Sequence, residues 1–177
     1  MTVMVALLRG VNVGGATRVP MADLRRIVAE TGYRDARTYV NSGNVVLTAD
    51  AGDTEQVAAR LRAACAVAFP CAPDVVVRTR EELRGVVDGN PFLDRDDDPT
   101  HHHVVFLPGA APARAPEVAV TPPEDLAPRG RELYLYLPDG MGRSRLAARL
   151  AGRSGPGGTA RNWRTVTTLA AMADEQD

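Results

Sequence analysis

Val3-Met4-Val5-Ala6-Leu7-Leu8-Arg9-Gly10-Val11-Asn12-Val13-Gly14-Gly15 decides the fold. Its first six residues are apolar, long enough for a strand, and the chain breaks at once into a glycine-rich loop. A helix is predicted from Pro20, where a missing N–H costs nothing. Met21, Leu24, Ile27 and Val28 then share one face, and Gly32 follows as the stop. Residues 37–40 and 45–48 flank the turn Asn41-Ser42-Gly43-Asn44, which reads as a hairpin. A second amphipathic helix is predicted from Asp53 or Thr54 to Ala68, with Val57, Leu61, Ala64 and Cys65 on its apolar side, and residues 74–78 close the unit as a strand. The order β-α-β-β-α-β is that of the split, ferredoxin-like unit, an α+β class.

Topology then locates a site. With a right-handed crossover the first two strands run parallel and the third lies between them, antiparallel to both. The end of the first strand, the hairpin turn and the loop Pro70-Cys71-Ala72-Pro73 fall on one edge of the sheet. Arg9, Asn12, Gly14, Gly15, Asn41, Ser42 and Asn44 are therefore expected to face one ligand.

Beyond the fourth strand, Thr79-Arg80-Glu81-Glu82 has the form of a capping box, predicting a helix to Asp88. An acidic loop, Asp94-Arg95-Asp96-Asp97-Asp98, leads through His101-His102-His103 into a strand at residues 104–107. Aspartates beside histidines raise a metal site, but side chains alternate along a strand, so His101 and His103 could share a ligand that His102 could not reach. A solvated loop running into a strand is the expectation, with no metal. Six prolines between residues 108 and 128 mark a connection in which any strand is short or at an edge. Residues 131–137 alternate leucine with Tyr134 and Tyr136, predicting a strand whose tyrosines cover a partly exposed face; a stacking platform for a base is the sharper alternative. Ser144 is the expected N-cap of a helix. Gly155-Pro156-Gly157-Gly158-Thr159 is a second glycine-rich loop, and Thr159 is expected to cap a final helix with Arg161 in its first turn. An arginine there opposes the macrodipole, and an internal acid or a bound anion would offset it.

Size and composition bound the rest. A chain of 177 residues suits one domain or two small lobes and can bury a real core; the division expected here is residues 1–90 and 91–177. Net charge is -1, which gives no overall attraction to nucleic acid or membrane. Between Arg129 and Arg164, however, eight arginines face two acids, a local net of +6. All 21 basic residues are arginine, which excludes lysine nucleophiles, Schiff bases and a P-loop lysine. Cys65 and Cys71 are expected to be free thiols in a cytoplasmic protein. The N-terminus lacks a basic leader, and its apolar run is too short to span a bilayer.

Four segments carry a resemblance: Leu7 to Gly15, Val19-Pro20-Met21-Ala22-Asp23-Leu24-Arg25, Tyr39 to Val45, and Gly158-Thr159-Ala160-Arg161-Asn162-Trp163-Arg164-Thr165-Val166. Together they resemble the bacterial domain of unknown function 1697 family over nearly the whole chain. The resemblance implies a soluble, intracellular α+β protein of two lobes and no particular activity. Against that family's pattern, two lysines are replaced, by Ala16-Thr17-Arg18 after the glycine pair and by Arg145 after Ser144. An arginine still holds an anion but cannot take a lysine's proton-transfer role.

The leading expectation is binding of a phosphate-bearing or other anionic ligand, a nucleotide or nucleic acid, between the two glycine-rich loops. Ser144, Arg145, Thr159, Arg161 and Asn162 complete the candidate set, and the guanidiniums of Arg9 and Arg161 are expected at a common hollow. An enzyme acting on a small anionic substrate is one alternative, weakened because the loops hold no general base. A non-catalytic interaction module is the other. No cofactor and no membrane partner are expected, and the sequence carries no signal for an oligomeric state.

Overall fold

The computed structural model describes residues 1–15, 17–50, 53–108, 117–151 and 157–176. Ala16, the proline-rich residues 109–116, and Arg153, Gly155 and Pro156, all invoked above, lie outside them. The protein is α+β, with two four-stranded antiparallel sheets and five helices among the described residues. Contacts divide it into one unit of Met1–Gly85 with Thr168–Asp177 and another of Val86–Thr167.

In the first unit β1 (Thr2–Leu8), α1 (Met21–Glu30), β2 (Arg34–Tyr39), β3 (Asn44–Ala49), α2 (Thr54–Ala68) and β4 (Val75–Thr79) follow one another. The sheet order is β2-β3-β1-β4. β3 therefore lies between β1 and β2 and is antiparallel to both, in register from Thr2 opposite Ala49 to Leu7 opposite Asn44. Alternation sends Met4, Ala6, Leu8, Val45, Leu47, Val75 and Val77 to one face. There they pack with Leu24, Ile27 and Val28 of α1 and Val57, Leu61 and Cys65 of α2. Asp53 caps α2 by accepting from Gln56 N at 2.8 Å. Pro20 precedes the first helical residue rather than occupying it, a shift of one position from the sequence reading. On the opposite face Val3, Val5, Leu7, Val46, Thr48 and Arg78 are also buried. Part of that cover is the C-terminal segment, where Gln176 Nε2 donates to Thr48 Oγ1 at 2.9 Å.

α3 (Arg80–Asp88) begins in the predicted capping box. Thr79 N donates to Glu82 Oε2 at 2.9 Å and Glu82 N to Thr79 Oγ1 at 3.1 Å. The second unit comprises β5 (His102–Phe106), β6 (Asp125–Arg129), β7 (Glu132–Tyr136), α4 (Arg145–Ala151), β8 (Thr159–Asn162) and the start of α5 (Trp163–Asp174). Its sheet order is β6-β7-β5-β8. β6 holds Pro128 and sits at an edge, where a missing ladder donor is tolerated. Leu133, Leu135 and Leu137 pack with Val105 and Leu107 against Leu146, Ala147 and Leu150 of α4.

Two expectations are corrected in this unit. Thr159 does not cap a helix, and Arg161 is not in a helical first turn: residues 159–162 are a strand, paired with β5 from Phe106 opposite Thr159 to His103 opposite Asn162. The cap is Asn162, whose Oδ1 accepts from Thr165 N at 2.9 Å. Gly158 permits the close approach, since a Cβ there would stand 2.6 Å from the Phe106 carbonyl oxygen. The histidine run is not a solvated loop either, because β5 begins at His102, and His102 and His103 are both buried.

Candidate functional site

The loop end of the first sheet is assembled by backbone. Leu8 N donates to Gly43 O and Arg9 N to Asp74 O, each at 2.8 Å, so the end of β1 is held by the hairpin turn on one side and the loop before β4 on the other. Val11 turns back into the core. Gly43 has φ +72, and a Cβ on it would come within 2.6 Å of Val11 Cγ2 and 2.7 Å of Leu8 Cβ. Only glycine satisfies both the left-handed backbone and that contact.

Asn12 joins the two loops. Its Oδ1 accepts from Val19 N at 2.8 Å, and its Nδ2 donates to Val19 O at 2.9 Å and to Asn41 O at 2.6 Å. Both amide donors are thereby used on the backbone. Its own φ of +56 is a conformation asparagine tolerates better than most residues. Thr17 closes the loop from the other side, exchanging hydrogen bonds with Val13 N at 3.1 Å and Val13 O at 2.9 Å. Gly14 and Gly15 follow with φ +71 and +79, exposed and with open space around them. Asn44 is buried and donates to Tyr39 O at 3.0 Å. Asn41 and Ser42 are exposed, and Arg9 is half-buried. The structure thus brings Arg9, Asn12, Gly14, Gly15, Asn41, Ser42 and Asn44 to one end of one sheet, with Asn12 and Asn44 serving the backbone.

The remaining candidates belong to the second unit. Ser144 is buried, and its Oγ accepts from Ala147 N at 2.9 Å as the predicted cap of α4. Arg145 is exposed on the first turn of that helix. Arg161 is buried and donates to Thr159 Oγ1 at 2.7 Å and Ala160 O at 2.8 Å. Burial pushes its guanidinium down to about 10. Tyr134 is no stacking platform, because it is buried and its hydroxyl donates to Val86 O at 2.9 Å.

A denser cluster of ionisable groups surrounds Asp96. Its Oδ2 accepts from Tyr136 OH at 2.7 Å and lies 3.0 Å from His101 Nδ1, while Oδ1 accepts from Asp98 N at 2.9 Å. His102 Nε2 lies 3.1 Å from the Asp96 carbonyl oxygen. Asp98 is in turn held by Thr100 N and Oγ1 at 2.8 and 2.7 Å. Arg95 stacks over Phe92 and Tyr136 and pairs with Asp125. The hydrogen bond from His101, then that from Tyr136, holds the Asp96 carboxyl well below its ordinary value, and Asp96 in return raises His101. Among the described residues no three histidine, cysteine or acidic side chains converge as a metal would require. The acidic loop and histidine run did flag this region in the sequence, but Tyr136, 40 positions from Asp96, carried no such signal.

An α+β protein of two four-stranded antiparallel sheets, with a backbone-pinned glycine loop closing the first, is the class these features define. The chain belongs to the family described as Protein of unknown function (DUF1697), whose sequence pattern matches residues 1–134. It is similar in fold to a conserved bacterial protein of Streptococcus pneumoniae, with a TM-score of 0.76 and 21% identity over 98% of this chain and 99% of that one. No curated protein matches the sequence. Among the described residues no helix is long and apolar enough to cross a membrane.

Proposed function

We propose that the protein binds a phosphate-bearing or otherwise anionic ligand at the loop end of the first sheet, received by the backbone N–H groups of Gly14 and Gly15 and by Arg9 and Arg18. The observation that carries this reading is the use made of Asn12, whose hydrogen bonds to Val19 and Asn41 hold the glycine loop in a set shape while Gly14 and Gly15 stay exposed. Gly14 and Gly15, with φ +71 and +79, form part of a tight turn, the kind of backbone in which successive N–H groups can make an anion-binding concavity. Arg18 is exposed beside them and supplies charge. In the second unit Arg145, exposed at the start of α4, is the corresponding candidate. The strand order β2-β3-β1-β4, with α1 and α2 on one core, supports a ferredoxin-like path for the first unit. Free Cys65 and Cys71 support a cytoplasmic setting.

Titration of the purified protein with inorganic phosphate, tripolyphosphate and a short single-stranded oligonucleotide tests the reading. Affinity for the oligonucleotide should fall by roughly 0.7 log units per log unit of salt for each phosphate contact. Arg18→Gln should weaken binding several-fold and leave the melting temperature unchanged. Absence of binding to all three anions would refute the proposal.

A second reading, a non-catalytic interaction module, is favoured by the internal hydrogen bonds of Arg161. On that reading Arg161→Gln lowers stability and changes no ligand affinity.

A further inference from the structure

Two exposed valines stand at the loop end of the first sheet, and the sequence reading assigned neither of them a role. Val13, in the glycine loop, is 69% exposed, and Val40, in the hairpin turn, is 50% exposed. They are placed by the same contact: Val13 follows Asn12 and Val40 precedes Asn41, and Asn12 Nδ2 donates to Asn41 O at 2.6 Å. Each valine is one residue from that hydrogen bond, on loops that are far apart in sequence.

Val40 is also strained. Its φ is +48, in the left-handed region. A β-branched side chain is a genuine outlier there, because both γ carbons crowd the backbone. Gly or Asn would relieve the cost, and the same turn already uses a glycine at 43 where φ is +72. Neither the strain nor the exposure helps the fold: a side chain left half in water contributes little burial. Held strain of this kind points to function. A bare inorganic anion would gain nothing from apolar surface, whereas a ligand with an uncharged body would bury it.

We infer that the ligand of this site is a nucleotide-like molecule, an anionic group joined to a flat, largely apolar body, with the body resting on Val13 and Val40 and the anion on the glycine loop. The inference rests on the anion-binding reading above and adds the chemical class of the ligand.

Tripolyphosphate and ATP carry the same chain of three phosphates and differ by the nucleoside, so the pair isolates the claim. Binding of each is measured by calorimetry at fixed salt without divalent cations, for the wild type, Val13→Ser and Val40→Gly. ATP is expected to bind at least tenfold more tightly than tripolyphosphate. Each variant should bring ATP several-fold closer to tripolyphosphate without changing the affinity for tripolyphosphate itself. The melting temperature of Val40→Gly should be equal to or above that of the wild type, since glycine accepts the turn's backbone, which removes misfolding as an explanation. Equal affinities for ATP and tripolyphosphate would overturn the inference and leave anion binding standing. Unchanged ATP binding in both variants would also overturn it. Binding of neither molecule would remove both readings together.

Discussion

The loop end of the first sheet and the Asp96 cluster of the second unit use polar residues in opposite ways. At the first, Asn12 and Asn44 spend their amides on backbone carbonyls of Val19, Asn41 and Tyr39, so the side chains are structural and the backbone of the glycines is left facing solvent. At the second, the side chains of Asp96, His101 and Tyr136 satisfy one another by hydrogen bonds. Ionisable groups alone would have directed attention to Asp96. A group already paired has little left to offer a ligand, whereas a pinned glycine loop presents exposed backbone at Gly14 and Gly15.

The sharpest test of this contrast is steric. Gly43→Ala places a methyl group 2.6–2.7 Å from Val11 Cγ2 and Leu8 Cβ on a backbone at φ +72, so overpacking and strain add. A loss of about 3 kcal/mol or more is expected in urea unfolding. Gly158→Ala in the second unit meets Phe106 O, Leu107 Cδ2 and Val105 Cγ1 at 2.6–2.7 Å but carries no left-handed backbone. Its cost should be smaller, about 2 kcal/mol. The reverse ranking would mean that the loop end of the first sheet yields more easily than its contacts indicate.

Asn12→Ala comes next. Three hydrogen bonds are lost at a position that is itself exposed, and alanine accepts φ +56 less well than asparagine. Water recovers part of the loss, which leaves about 2 kcal/mol. Hydrogen exchange should then rise at Val19 N, its former partner, and stay unchanged around Asp96. Stability within a few tenths of a kcal/mol of the wild type would mean that the two loops hold each other without Asn12.

How much of this was legible depended on range. Local signals were read correctly: the Thr79–Glu82 box, the Asp53 and Ser144 caps and the edge position of a proline-bearing strand all follow from residues a few positions apart. The convergence of the glycine loop with the hairpin followed from chain path, although the role of Asn12 within it did not. Residues 159–162 were misread because Thr-Ala-Arg-Asn before an apolar stripe looks like a helix start, and only pairing with β5, more than 50 positions upstream, makes them a strand. The closing residues were placed in the second lobe by sequence, yet Thr168–Asp177 groups by contact with the first unit. Arg37–Glu175, Arg84–Asp174 and Thr48–Gln176 join them there, and no periodicity announces such pairs.

The smallest effects lie at Asp96 and are read through pH. His101 is raised by its hydrogen bond to Asp96 and by the charges of Asp96, Asp98 and Asp139. The stability it contributes is full below its ordinary value of 6.5 and is lost as pH rises through the raised value. Asp96 is lowered, so its contribution is present above 3.8 and fades as pH falls toward the lowered value. The difference in unfolding free energy between wild type and Asp96→Asn should therefore be widest between those two ordinary values and narrow on either side. His103, buried in β5 and pushed down to about 4 by burial and then by the neighbouring histidines, removes stability as pH drops below 6.5. Tyr136→Phe deletes one hydrogen bond to a partly exposed carboxylate and should lower stability only slightly. It should raise the Asp96 value and leave anion binding at the glycine loop unchanged. A Tyr136→Phe variant with altered ATP affinity would show that the two regions are not independent, and the contrast between them would have to be drawn differently.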